Sequence, residues 1–140
     1  VGAGAEGGDV EPPSRRRQRM RYLCLIHLNE TEMSDLPHAT MNDLNVRHLA
    51  LNDDLRASRH FVEASALESS GAAVRLQLRG SKRTVVDGPF TETKELVAGF
   101  YLIEARDMQE AIGIASRFPS APYATIEVWP TRELEVDDPE

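Results

Sequence analysis

The amino-acid sequence predicts an α+β domain, a ferredoxin-like split β-α-β sandwich with an antiparallel sheet and an added hairpin. Three observations predict it: apolar runs that alternate as strands do, two stretches with helical spacing of apolar residues, and their order along the chain. That order is strand, helix, strand, hairpin, strand, helix, strand, which is typical of two split β-α-β units.

Each predicted element follows from its residue pattern. Residues 21–28 are predicted to form a strand, and both of its faces are largely apolar, so both are expected to be covered. Residues 29–37 are predicted to be a polar loop. A helix is predicted from about Thr40 to Ser58, because apolar residues recur there every three or four positions, and Thr40 with Asp43 resembles a capping box. The remaining elements are a strand over 60–67, a hairpin over 74–78 and 84–86, a strand over 98–105, a helix from Asp107 to about Phe118, and a strand over 124–129.

Composition limits the possible functions. The chain has 140 residues, 41% of them hydrophobic and 28% charged, as in an ordinary soluble domain. The net charge of −7 argues against direct nucleic-acid binding and against an anionic membrane surface. No apolar run approaches the about 20 residues that span a bilayer, and the run after Arg19 is too short for an export signal, so a cytoplasmic location is expected. The one cysteine, Cys24, is expected to be a small buried residue.

The chain divides into three parts. Residues 1–19 lack periodicity and are predicted to be a flexible tail, whose arginines either are solvated or touch an acidic partner or nucleic acid. The folded domain is predicted over residues 20–130. Residues 131–140 form an acidic C-terminal tail that is expected to fray.

The strand patterns also predict self-association. Two amphipathic helices cover only one face of such a sheet, yet several of its strands are apolar on both faces. Exposed apolar surface of this extent indicates an interface. We therefore expect a homodimer in which the open sheet faces pack together.

The turn from Asp87 to Phe90 is the most informative local feature. Asp87 can bond nearby backbone N–H groups, Gly88 is free to take positive φ, and Pro89 restricts the residue before it. These properties explain a tight corner, but they do not explain Phe90 and the polar residues 91–95 before the next strand. Because the turn does not require these residues, we expect them to belong to a functional site.

The residues around this turn resemble the YCII-related family, and more closely its DGPF branch. The resemblance rests on the block from Val86 to Ala105, on Glu110-Ala111 and on Ile126-Glu127-Val128, and it covers about Met20 to Pro130. It implies a ferredoxin-like fold and a homodimer of the dimeric α/β-barrel type. One departure is Trp129 before Pro130, where relatives often have Arg, so the pocket lacks a positive group that elsewhere holds an anion.

The resemblance also implies functions. YCII-like proteins have been proposed to carry a His/Asp-centred catalytic site, and His48 is the position that matches this histidine. Relatives of the fold act on small aromatic or lactone substrates as isomerases, dehalogenating enzymes or monooxygenases. DGPF proteins have been linked with sigma factors and transcription initiation.

Six residues are the candidates for a site. His48 and Asp87 are predicted to exchange protons if they meet beside an apolar pocket; otherwise His48 is a core histidine and Asp87 caps its own turn. Phe90, Tyr101, Glu127 and Trp129 are predicted to shape the pocket. Tyr101 either orients a ligand or is an ordinary core tyrosine, and Glu127 and Trp129 face either into the barrel or outwards.

Three functions remain open from the sequence. The first is an acid/base isomerase or lyase acting on a small molecule without metal or organic cofactor, because the histidines lack metal-ligand spacing and there is no cysteine cluster. The second is a non-catalytic interaction module that serves transcription, with a sigma factor as partner. The third is a ligand sensor without chemistry.

Overall fold

The computed structural model describes residues 19–90 and 95–138. Within these ranges the chain forms six strands and three α-helices. In chain order they are β1 (Met20–Asn29), α1 (Glu30–Ser34), α2 (His38–Ala57), β2 (Phe61–Ala66), β3 (Val74–Arg79), β4 (Lys82–Asp87), β5 (Glu95–Ala105), α3 (Met108–Ala115) and β6 (Thr125–Pro130), with short 3₁₀ turns at Ser70–Ala72 and Ala121–Tyr123. Most of the predicted N-terminal tail lies outside the described residues.

Four strands form one antiparallel sheet in the order β2-β5-β1-β6. The central strands β1 and β5 pair along their whole length, from Met20 opposite Ala105 to Asn29 opposite Glu95. Strands β1 and β2 belong to one β-α-β unit, yet β5 lies between them, so the two units interlock. This order confirms the predicted ferredoxin-like α+β fold.

Helices α2 and α3 cover one face of the sheet. Alternate residues of β1 and β5 point to this face, because successive strand residues project to opposite sides. They pack with the apolar residues of both helices into one core, in which Cys24, Leu55 and Ile103 are fully buried. The predicted burial of Cys24 is confirmed, and burial raises the pKa of its thiol to about 11.

The opposite face carries a second set of apolar side chains. Leu23 lies opposite Leu102 and Leu25 lies opposite Phe100, so four half-buried side chains form a continuous patch. Helices α2 and α3 pack on the other side of the sheet and do not cover this patch. The homodimer expected from this pattern stays a prediction.

Two details of the predicted helices are wrong. The predicted loop over 29–37 contains α1, which begins because the Asn29 side chain accepts a hydrogen bond from the Glu32 amide at 3.1 Å. Helix α2 begins at His38 rather than Thr40, so Thr40 is not the cap. The Pro37 carbonyl accepts hydrogen bonds from the amides of Thr40 and Met41 at 3.0 and 3.1 Å. Proline suits this entry because its fixed φ leads into the helix.

The cap of α3 is confirmed. The carboxylate of Asp107 accepts a hydrogen bond from the Glu110 amide at 2.9 Å. Glu110 in turn accepts from the Arg106 amide at 2.8 Å, one residue before the cap. None of the helices in the described ranges has the length and apolar character needed to cross a bilayer.

Strands β3 and β4 form a separate two-stranded hairpin, in which every residue is exposed. It closes at Gly80, whose φ of +63° favours glycine. At its root, the Gly88 amide donates to the Ala73 carbonyl at 2.7 Å. A Cβ at Gly88 would lie 2.0 Å from the Ser70 carbonyl oxygen. Glycine is therefore needed at this turn for the close approach of two backbones.

Candidate functional site

A cavity of about 970 Å³ lies between α2 and the edge of the sheet formed by β2 and β5, and α1 contributes to its rim. Its lining is mainly apolar. The polar side chains that reach it from helices and loops include Glu30, His38, Asn45, His48, Asn52 and Ser120. A mainly apolar cavity with a few polar groups is the usual form of a small-molecule site.

His48 projects from the middle of α2 into this lining. Its Nδ1 lies 2.8 Å from the Tyr101 hydroxyl, and its Nε2 lies 3.2 Å from the Ser120 hydroxyl. The Tyr101 ring is itself stacked on Phe118, with ring centroids 4.2 Å apart. His48 is therefore held between two hydroxyls on elements distant from it in sequence.

The two hydrogen bonds permit two proton arrangements, because one ring nitrogen of a neutral imidazole donates and the other accepts. In one, the Ser120 hydroxyl donates to Nε2 and Nδ1–H donates to Tyr101. In the other, the Tyr101 hydroxyl donates to Nδ1 and Nε2–H donates to Ser120. Either arrangement connects Ser120 and Tyr101 through the imidazole of His48.

The surroundings keep His48 neutral. Burial lowers its pKa, and the neighbouring positive charge of Arg47 lowers it further. Burial raises the pKa of Tyr101 to about 12, so its hydroxyl stays protonated at neutral pH. A neutral imidazole beside an apolar cavity is suited to accept a proton from a bound molecule.

Asn52 was not predicted from the sequence. It lies one helical turn after His48 and lines the same cavity. Its Oδ1 is buried and has no hydrogen-bond partner within the described residues. Since a buried acceptor without a partner is costly, Oδ1 is well placed to accept a hydrogen bond from a bound molecule.

The structure brings His48 and Tyr101 together, but it does not bring Asp87 to them. Asp87 ends β4 in the exposed hairpin, and within residues 19–90 and 95–138 no hydrogen bond or ion pair joins it to His48. Phe90 lies beneath the Arg75 guanidinium, 3.9 Å from ring centroid to Cζ. Neither Asp87 nor Phe90 is among the residues that line the cavity. Their roles stay predictions.

Glu127 and Trp129 lie on the other face of the sheet, beside the apolar patch. The Trp129 indole N–H donates to Glu127 Oε1 at 3.1 Å, and His27 Nε2 lies 3.3 Å from the same oxygen. Both hydrogen bonds lower the pKa of Glu127, and the one from Trp129 has the larger effect. The two side chains are exposed, and whether they line a pocket depends on a second sheet covering this face.

No cluster of metal ligands occurs in the part of the chain that the structure describes, since no three His, Cys, Asp or Glu side chains there lie in a metal-binding arrangement.

Comparison with known proteins identifies the family. A sequence model of the YCII-related domain matches residues 20–135. The chain belongs to the YCII-related family. An uncharacterised protein of Rhizobium meliloti (strain 1021) is 38% identical to this YCII-related protein over 79 residues, which cover 51% of this chain. The match spans 64% of the Rhizobium protein, less than two thirds of its length. The predicted YCII resemblance is confirmed, while assignment to the DGPF branch stays a prediction.

Proposed function

We propose that this YCII-related domain binds a small organic molecule in the cavity beneath α2 and that His48 acts there as an acid/base group without a cofactor. The observation that supports this is the neutral imidazole of His48 in a mainly apolar cavity, fixed by hydroxyls at 2.8 and 3.2 Å. The reaction class is that of an isomerase or lyase acting on a small aromatic or lactone substrate.

Nε2 is the atom that a substrate reaches in this proposal. Its bond to Ser120 is the longer of the two and is the one that a ligand displaces. Nε2 takes a proton from carbon next to a carbonyl, while Nδ1–H donates to Tyr101 and is stabilised by it. If His48 returns the proton to a different carbon, the reaction is an isomerisation. If a leaving group departs instead, the reaction is the elimination that a lyase catalyses.

The rest of the cavity orients the substrate. The apolar lining accommodates an aromatic ring, and Asn52 Oδ1 accepts a hydrogen bond from an N–H or O–H of the ligand. We expect a ligand with such a donor to bind more tightly than its isostere without one, because the isostere leaves Oδ1 unpaired.

The proposal retains the homodimer. The patch of Leu23, Leu25, Phe100 and Leu102 supports it, because an uncovered apolar sheet face favours association. In such a dimer Glu127 and Trp129 lie beside the contact. Asp87 remains the predicted proton partner of His48, so Asp87→Asn is added to the D₂O experiment below, where we expect less deuterium incorporation than with the wild-type chain.

A thermal-shift screen tests the ligand site. Small aromatic acids and lactones are added to the wild-type chain, to His48→Gln and to the matched control His27→Gln on the other face of the sheet. We expect a compound that raises the Tm of the wild-type and control chains but has a smaller effect on His48→Gln. A panel without any stabilising compound, or equal shifts in all three chains, would contradict the proposal.

Proton transfer needs its own measurement. The stabilising compound is incubated with each chain in D₂O, and incorporation of deuterium at its acidic carbon is followed by NMR. We expect incorporation with the wild-type and His27→Gln chains and none with His48→Gln.

A ligand sensor is the second candidate, and one observation favours it. Both ring nitrogens of His48 already have partners inside the protein, as in a histidine that only supports structure. Binding without deuterium incorporation in the same experiment would select the sensor over the enzyme. The sigma-factor association implied by the resemblance stays a prediction.

A further inference from the structure

The hairpin of β3 and β4 has an apolar face that nothing covers within the described residues. On β4, Asp87 and Arg83 lie on this side, opposite Val74 and Leu78. The apolar residues of this face are Val74, Leu76 and Leu78 of β3 and Val85 of β4, which lies opposite Leu76. These side chains are 59%, 56%, 60% and 45% exposed. An isolated two-stranded hairpin is marginally stable in water, whereas a third strand with a shared apolar face stabilises it.

The other face of the hairpin carries three basic residues together with Gln77, Thr84 and Val86. Arg75 and Arg79 project from β3 to this side, and Lys82 lies opposite Arg79 on β4. The outer edge of β3 is not paired with any described strand. A strand that completes this edge therefore needs apolar residues on one side and acidic residues on the other.

The C-terminal segment Glu133–Asp137 has this pattern. Its sequence is Glu133-Leu134-Glu135-Val136-Asp137, in which acidic and apolar residues alternate with the period of a strand. It forms no helix or strand in the structure, and Leu134 and Val136 are 84% and 91% exposed. Exposed apolar residues at this spacing indicate a segment that can form a strand when it pairs with the edge of a sheet.

We propose that Glu133–Asp137 of one chain pairs with the outer edge of β3 in a second copy of this chain. Leu134 and Val136 then extend the apolar face of the hairpin, and the acidic side chains lie on the same side as Arg75 and Arg79. On the apolar side, β3 carries three apolar residues, whereas β4 carries Asp87 and Arg83 beside Val85, so Leu134 and Val136 fit the edge of β3 better than that of β4.

In its own chain, the segment begins far from the root of the hairpin. Strand β6 ends at Pro130, which lies opposite Tyr22. The next residue, Thr131, is fixed at the same end of β1, because its amide donates to the Arg21 carbonyl at 3.0 Å. The hairpin root lies at the other end of β1, because the Ser70 amide donates at 2.9 Å to Glu30, which directly follows Asn29.

The distances decide between the two chains. From the level of Tyr22 to the end of β1 the sheet extends about 23 Å, at about 3.3 Å per residue. Glu133 reaches at most about 11 Å from Pro130 even when the chain is fully extended. Every residue of β3 and β4 is exposed, so the hairpin does not pack on the body of its own chain. A second copy supplies the strand instead, and a two-fold exchange gives each hairpin one segment.

Disulfide trapping tests this exchange. A chain with Leu134→Cys is mixed with a chain of different mass that carries Leu76→Cys or Leu78→Cys, and the mixture is oxidised. The matched control carries Val46→Cys, an apolar residue of α2 that is 55% exposed. Cys24 does not interfere, because it is buried and its pKa of about 11 keeps it as the unreactive thiol.

We expect the mixed disulfide dimer in clear excess with Leu76→Cys or Leu78→Cys over the Val46→Cys control. A yield equal to the control at both hairpin positions would overturn the proposal. A chain carrying Leu134→Cys and Leu76→Cys together that closes its disulfide only within itself would also overturn it.

Hydrogen exchange gives a second, independent result. In the double variant Leu134→Asp with Val136→Asp, we expect the amides of β3 to exchange faster than in the wild-type chain, while those of β1 and β5 keep their rates. Unchanged exchange in β3 would overturn the proposal. Ligand binding beneath α2 is expected to persist in this variant. A failure of the proposed strand pairing is therefore distinguishable from a failure of the proposed ligand site.

Discussion

Replacing Tyr101 with Phe tests how His48 is held. The substitution removes the hydroxyl that lies 2.8 Å from His48 Nδ1 and leaves the ring that stacks on Phe118 at 4.2 Å. The half-buried Nδ1 then loses its partner. Since an unsatisfied buried polar group costs about 1–3 kcal/mol, we expect the free energy of unfolding to fall by about this amount.

Tyr22→Phe is the matched control for this change. Tyr22 is 3% exposed and Tyr101 is 4% exposed, but the Tyr22 hydroxyl contacts only the sulfur of Met20, at 3.8 Å, within the described residues. Sulfur is a weak acceptor, so the loss in Tyr22→Phe is expected to be smaller. Urea unfolding at neutral pH measures both losses. If Tyr101→Phe loses no more stability than Tyr22→Phe, the hydroxyl does not hold His48.

Three further predictions concern His48, Gly88 and the cap of α3. Folding lowers the pKa of His48 from 6.5, so the unfolded chain binds the proton more readily. Neutral His48 therefore contributes stability that is present above about pH 6.5 and is lost as the pH falls through the folded pKa. Urea midpoints measured against pH should show this loss in the wild-type chain and not in His48→Gln. Gly88→Ala places a Cβ 2.0 Å from the Ser70 carbonyl oxygen and is expected to cost about 1–3 kcal/mol in urea unfolding, whereas Gly113→Ala, whose Cβ meets no described heavy atom within 4 Å, should stabilise α3 by about 0.5–1 kcal/mol. Asp107→Ala removes the acceptor of the Glu110 amide and is expected to cost about 0.5–2 kcal/mol by thermal unfolding, and a loss no larger than for Asp138→Ala in the exposed C-terminal segment would contradict the capping role.

The sheet could be predicted from the sequence because each strand is marked by its own short run of apolar residues. The cap at Asp107 was also predictable, since its partner Glu110 is only three residues away. The start of α2 was not, because the sequence offers Thr40 as a conventional cap and the chain instead enters the helix through Pro37.

The site was predictable only in part. The position of His48 on a buried helix face follows from periodicity, and Asn52 could have been found by the same spacing, one turn further on. Ser120 could not, because its contact with His48 spans 72 residues and depends on how the segment after α3 packs. Turn chemistry indicates that Asp87 lies at a corner, but it does not determine the direction in which the hairpin leaves the body.

Glu30 connects the two parts of the molecule that our proposals concern. Its carboxylate accepts hydrogen bonds from the Ser70 amide and hydroxyl at the root of the hairpin, and its side chain also lines the cavity beneath α2. If a molecule in the cavity competes for this carboxylate, we expect it to weaken the hydrogen bonds that hold the hairpin root. If the two events are coupled in this way, binding of a molecule in the cavity and pairing of the C-terminal segment with a second copy change each other's affinity by the same factor.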